Sequence, residues 1–124
     1  MVSWNNLDTL SSYKELADVK PACLTEVMSG DNGAERVKNY SIPMATGLSY
    51  NYASKQVDEN VLAALEKLAD EAQLADKFKA LYNGEVVNTG EKRLVLHHMT
   101  RGQLGDAVEA DGVDKRTFYN CRIC

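Results

Sequence analysis

Between Tyr82 and Gly102 the sequence reads YNGEVVNTGEKRLVLHHMTRG, and no other stretch of the chain concentrates so many local structural signals. Asn83-Gly84 closes a helical pattern, because glycine enters the left-handed conformation of a helix C-cap without a Cβ clash. Asn88 stands three residues before Glu91. At that spacing an Asn cap and a Glu at the third helical position can satisfy each other's backbone N–H groups. The apolar run Leu94-Val95-Leu96 comes next, then His97, His98, Met99 and Arg101. The pattern predicts a helix that stops, a short linker, and a capped helix that carries cations toward its C-terminal end, where the dipole favours them.

The segments before it divide by hydrophobic period. Residues 3–18 read as a first helix, capped by Ser3 or Asn5, with Trp4, Leu7, Leu10 and Tyr13 near one face. Pro21 ends it, since a residue before proline is pushed out of the helical region. Leu24 to Met28 reads as a short apolar helix, residues 29–33 as a turn cluster, and Ala34 to Tyr40 as a second short helix. From Ser41 to Tyr52 the period becomes two. Ile42 and Met44 alternate on one side of Gly47, and Leu48, Tyr50 and Tyr52 on the other, which predicts a β-ribbon with Pro43 on an edge.

Asp58 then caps the strongest helical pattern, Glu59 to about Ala72, whose apolar face holds Val61, Leu62, Leu65, Leu68, Ala69 and Ala72. A further helix to Tyr82 carries Leu74, Phe78 and Leu81. Burial of each large apolar side chain contributes roughly 1.5–3 kcal/mol, so these two helices are expected to dominate the core. Exposed apolar surface is expected on the Val61–Phe78 helices or near Leu94–Met99. After Gly102 and Gly105, Val108 to Gly112 reads as a short strand ending in an Asp-Gly turn, and Thr117 opens another helix. The predicted fold is mainly α with a short β-ribbon. Its length of 124 residues is that of one domain, and there are no repeats, low-complexity segments or evident linkers.

Composition narrows the function classes. The chain is 44% hydrophobic and 26% charged, as expected of a globular protein. A net charge of −4 and no Lys/Arg-rich run argue against nucleic acid as a partner. No stretch approaches the ~20 apolar residues that span a bilayer, and the first ten residues lack the basic and apolar regions of a signal peptide. Neither a membrane nor secretion is expected. Three cysteines fit a reducing cytoplasm better than a disulfide scaffold.

Few residues suggest chemistry. Cys121 and Cys124 form a C-x-x-C, but without a βαβ context or a second ligand pair the spacing reads as chance or as a chain end more readily than as a redox or zinc motif. His97 and His98 are adjacent, so they do not converge on one metal ion. His97 could act as a base, but it has no paired nucleophile and only Glu91 nearby. Gly84 to Gly90 lacks the Gly-Lys-Ser/Thr ending of a phosphate loop, and Gly30 to Gly33 is too short for a calcium loop. Glu91 with Arg93 and Arg101 could form either a buried ion-pair cluster against another domain or subunit, or a solvated polar face.

The run Asn88, Glu91, Arg93, Val95-Leu96-His97 and Arg101 resembles the N-terminal signature of glucose-6-phosphate isomerases. Gly90, Met99 and Thr100 stand where that signature usually has Thr, Ala and Leu. Trp4 ahead of an amphipathic helix, the segment from Glu35 to Ser41, and Tyr52-Ala53-Ser54-Lys55 before the long helix also fall in the family's order. The likeness is to the divergent bacterial branch and covers about residues 3–119. It implies the N-terminal segment of a larger α/β enzyme, an αβα sandwich that works as a homodimer. That enzyme interconverts glucose 6-phosphate and fructose 6-phosphate in glycolysis and gluconeogenesis. It uses no cofactor, moving a proton between C1 and C2 with a Glu base while a Ser/Thr-rich loop holds the phosphate. Those residues lie in a region that would follow this segment, so no catalytic, cofactor-binding or metal residue is assigned here.

Three roles are therefore expected to compete. One is a single partial domain, truncated or frameshifted and inactive alone. Another is an interaction module docking on an isomerase subunit through Glu91, Arg93 and Arg101. The last is a thiol-redox peptide acting through Cys121 and Cys124.

Overall fold

A computed structural model of the chain describes residues 2–101 and 106–120. It is about half helical, with three short antiparallel strand pairs where one ribbon was expected. Two compact units are resolved: Asp8–Leu68, and Met1–Leu7 together with Ala69–Cys124.

In the Asp8–Leu68 unit, a 3-10 turn Leu7–Thr9 leads to α1, Ser11–Asp18. The first helix thus begins well after Ser3. Leu10 is extended at the cap position and makes no side-chain cap bond. Trp4, expected on this helix, instead has Lys77 Nζ 5.7 Å from its ring centroid in the other unit. There too, the Ser3 N–H donates to Gln73 Oε1 at 2.8 Å. These partners draw the N-terminal residues away from a continuous helix.

α2 spans Leu24–Val27 and α3 spans Gly30–Asn39. The expected turn cluster is therefore largely the first turn of α3. Gly33 is required there, because a Cβ would come 2.5 Å from the Met28 carbonyl oxygen. β1, Ser41–Pro43, and β2, Ser49–Asn51, form the expected ribbon, with Ile42 opposite Tyr50. Pro43 sits on this two-stranded sheet, where an edge tolerates its missing donor. Asp58 Oδ1 accepts the Val61 N–H at 2.9 Å and so starts α4, Glu59–Glu71, as the capping pattern predicted.

The buried apolar residues of this unit are small: Ala22, Ala53 and Ala64. Its organising side chain is Arg36, which is 7% exposed. Its guanidinium donates to the carbonyls of Ala53 (2.8 Å), Lys55 (3.1 Å) and Val57, and lies 4.0 Å from the Tyr40 ring centroid. One rigid fork thereby ties α3 to the loop between β2 and α4.

In the other unit, Gln73 adopts φ 54, ψ 42 and separates α4 from α5, Leu74–Tyr82. α5 ends as the Asn-Gly pair predicted. Gly84 has φ +74, its N–H donates to Leu81 O, and the Glu85 N–H donates to Ala80 O, which is a Schellman closure.

The capped helix expected after it does not form. β3, Val86–Asn88, pairs instead with β4, Arg93–Leu94, and a 3-10 turn His97–Arg101 follows. The cap hydrogen bond exists, since Asn88 Oδ1 accepts the Glu91 N–H at 3.1 Å. The same bond also fits a hairpin turn, where Lys92 at φ 53 reverses the chain. β-branched Val86, Val87 and Val95 favour the extended outcome.

β5, Glu109–Ala110, and β6, Val113–Asp114, are joined by Asp111-Gly112, both at positive φ, as the Asp-Gly signal predicted. α6, Lys115–Asn120, starts before Thr117 because Asp114 caps it. Its Oδ1 accepts the Arg116 N–H at 3.0 Å, and its Oδ2 accepts the Thr117 hydroxyl.

The core of this unit is Leu96, Met99 and Val108, with Leu94 packed against it, and Met99 is fully buried. The two helices expected to dominate contribute only Ala72 and Ala80 as buried apolar residues here. Leu74 and Phe78 on α5 remain exposed, which places the expected exposed apolar surface on these helices. Leu96 and Met99, the alternative location, are buried.

Candidate functional site

A second buried polar cluster gathers around the carbonyl of Tyr82, the last residue of α5. Arg116, 3% exposed, donates from Nη2 to Tyr82 O at 2.9 Å and from Nε to Asp106 O at 2.7 Å. The His98 ring stacks on Tyr82 with centroids 4.8 Å apart, and its Nε2 lies 3.3 Å from the same carbonyl. The Arg116 guanidinium also lies 5.4 Å from the Tyr82 ring centroid. A buried guanidinium whose donors face main-chain carbonyls fixes chain path; it does not present charge to a ligand.

Asp114 completes the arrangement. Its carboxyl is held below the ordinary aspartate value of 3.8, chiefly by the Thr117 hydroxyl, with help from the backbone N–H groups of Val108, Arg116 and Thr117 that outweighs desolvation.

Both arginines were missed by sequence reasoning. Arg36 lies beside Val37 and Lys38 on an ordinary polar helix, and Arg116 two residues beyond Asp114. The Asp114 cap was the legible signal for the second site.

The described side chains among the residues singled out from sequence do not converge. Glu91 and Arg93 approach to 3.7 Å with side chains 63% and 77% exposed, so the solvated alternative holds for this pair. Arg101 ends the 3-10 turn. His97 is exposed, while His98 stacks on Tyr82, so the two point to different surroundings. Gly30 and Gly33 lie within α3. Gly84 ends α5, and Gly90 is in the β3–β4 turn. Cys121 and Cys124 lie outside the described residues. Among the described residues, no group of three or more His, Cys, Asp or Glu side chains could hold a metal ion.

Two concavities are worth describing. One of about 320 Å³ is lined by Val2, Gln73, Ala80, Glu85 and the exposed Asp76–Lys79 pair, 3.4 Å apart. The other, about 200 Å³, is an apolar groove between the β1–β2 ribbon and α4. Ile42, Tyr50, Tyr52, Val57, Leu62 and Leu65 line it, and Lys55 is its one charged residue. Neither brings together an acid, a base and a nucleophile at reacting distance, the arrangement that proton transfer requires.

The family model for phosphoglucose isomerase matches residues 51–120, more than half of the chain. The chain belongs to the phosphoglucose isomerase family. Its similarity to several glucose-6-phosphate isomerases runs over nearly its full length. It is 43% identical to that of Treponema denticola over 95% of this chain and 46% identical to that of Treponema pallidum over 99%. With the enzyme of Borreliella afzelii the identity is 41% over 99%. The chain spans about 23% of the length of these isomerases, 24% for Treponema pallidum. No described helix is long and apolar enough to cross a membrane.

Proposed function

We propose that this chain is the N-terminal, non-catalytic segment of a cytoplasmic glucose-6-phosphate isomerase, an enzyme of glycolysis and gluconeogenesis. In this reading the whole protein is a dimeric αβα sandwich. It binds a sugar phosphate and interconverts glucose 6-phosphate and fructose 6-phosphate without a cofactor.

The observation that carries the reading is the extent of the match. Nearly all of this chain aligns at 41–46% identity with less than a quarter of each isomerase. The two buried guanidiniums of the described residues, Arg36 and Arg116, face main-chain carbonyls, which suits a structural segment. The purified chain supplied with fructose 6-phosphate is expected to form no glucose 6-phosphate. Measurable turnover that survives repeated purification overturns the proposal.

A second reading is a helical interaction module docking on an isomerase subunit. The exposed apolar side chains around the ribbon favour it, on a surface other than Glu91 and Arg93.

A further inference from the structure

We propose that the apolar face shared by the β1–β2 ribbon and α4 is a docking surface, and that its occupant is the larger part of the isomerase polypeptide. The inference rests on reading this chain as a segment of that enzyme.

Strand alternation places Ile42 and Tyr50, which are paired across the ribbon, on one face. Tyr52 and Tyr40 continue that face, with ring centroids 5.0 Å apart and the Tyr52 N–H on Tyr40 O. Met44 and Leu48 extend it at the tip, where the Met44 N–H meets Leu48 O. On this face Ile42 is 51% exposed, Met44 58%, Leu48 65% and Tyr50 49%. Leu65 of α4, facing the same groove, is 40% exposed. The buried apolar positions are alanines instead. Val57, Leu62 and Leu68 are half-buried, whereas the ribbon side chains form a contiguous exposed apolar patch of the kind that another surface covers.

Two observations choose the cover. The isomerases that match this chain are about four times its length, which supplies a large partner polypeptide. The groove's single charge is Lys55, whose ammonium has no ion-pair partner among the described residues, and no carboxylate lines the groove. A two-fold pairing of this face with itself would set lysine against an acid-free groove. A partner offering apolar side chains and one carboxylate or carbonyl fits better.

The test replaces the matching segment of the Treponema denticola isomerase with this chain. It compares that chimaera with the isolated chain, each carrying Ile42→Asp, Leu65→Asp or the control Arg93→Glu. We expect Ile42→Asp and Leu65→Asp to leave the melting of the isolated chain unchanged and to lower the Tm of the chimaera by several degrees, with Arg93→Glu neutral in both. Oxidation of Met44 by dilute peroxide is expected to be several-fold slower in the chimaera.

An active chimaera whose Tm is unchanged by Ile42→Asp and Leu65→Asp, and whose Met44 oxidises as fast as in the isolated chain, overturns the docking face and leaves the isomerase reading intact. An inactive chimaera overturns that reading and the docking face with it. Self-association of the isolated chain that Ile42→Asp abolishes assigns the face to a second copy and overturns the proposal.

Discussion

Arg116 and Arg36 do the same work in different units: each buries a guanidinium against main-chain carbonyls and an aromatic ring. Replacing Arg116 with Met would leave the carbonyls of Tyr82 and Asp106 without these donors. The Tyr82 carbonyl is half-buried and Asp106 is exposed, so water replaces part of what is lost, and we predict a loss of about 1–2 kcal/mol in urea unfolding. Arg116→Lys is predicted to recover only part of it, since one ammonium does not reproduce the planar fork. Asp114 yields a pH prediction. A carboxyl held below 3.8 stabilises the folded chain above that value, and the contribution disappears as pH falls through the lower folded value. The stability gap between wild type and Asp114→Asn should therefore be full near neutrality and close on acidification below about pH 4. A gap that stays constant with pH contradicts the cap geometry.

Among the elements, glycine substitutions separate backbone conformation from packing. Gly84 and Gly112 share positive φ, 74 and 72. A Cβ on Gly84 would collide with the Val108 side chain, whereas one on Gly112 meets nothing within 4 Å. Gly112→Ala should cost about 1–2 kcal/mol from conformation alone, and Gly84→Ala about 2–4 kcal/mol because the core must also shift. Equal losses would show that Val108 moves aside freely.

The same segment shows what sequence reveals. The helix stop at Asn83-Gly84, the Asp58 cap, the alternation through 41–52 and the Asp-Gly turn are local signals with one outcome each, and the structure has them all. Asn88 with Glu91 has two outcomes, a helix cap or a hairpin turn with the same hydrogen bond, and long-range packing of Leu94, Leu96 and Met99 against Val108 accompanies the second. Arg36 and Arg116 were illegible for a related reason. Their carbonyl partners at Val57 and Tyr82 lie 21 and 34 residues away, and no local pattern encodes such a pairing.

For the whole molecule, a mainly helical segment was expected, and the chain is about half helical, with three short strand pairs in two small units. Tyr82 to Gly102 supplies a Schellman closure, a hairpin and the buried Met99, while Cys121 and Cys124 lie beyond the described residues. The central claim is that this chain belongs to an isomerase and does not itself carry the isomerase chemistry. Its most direct test is a paired assay with fructose 6-phosphate, using the isolated chain and the Treponema denticola isomerase in which this chain replaces the matching segment. The predicted result is turnover by the chimaera and none by the isolated chain. Turnover by the isolated chain, or its absence from a folded chimaera, would contradict it.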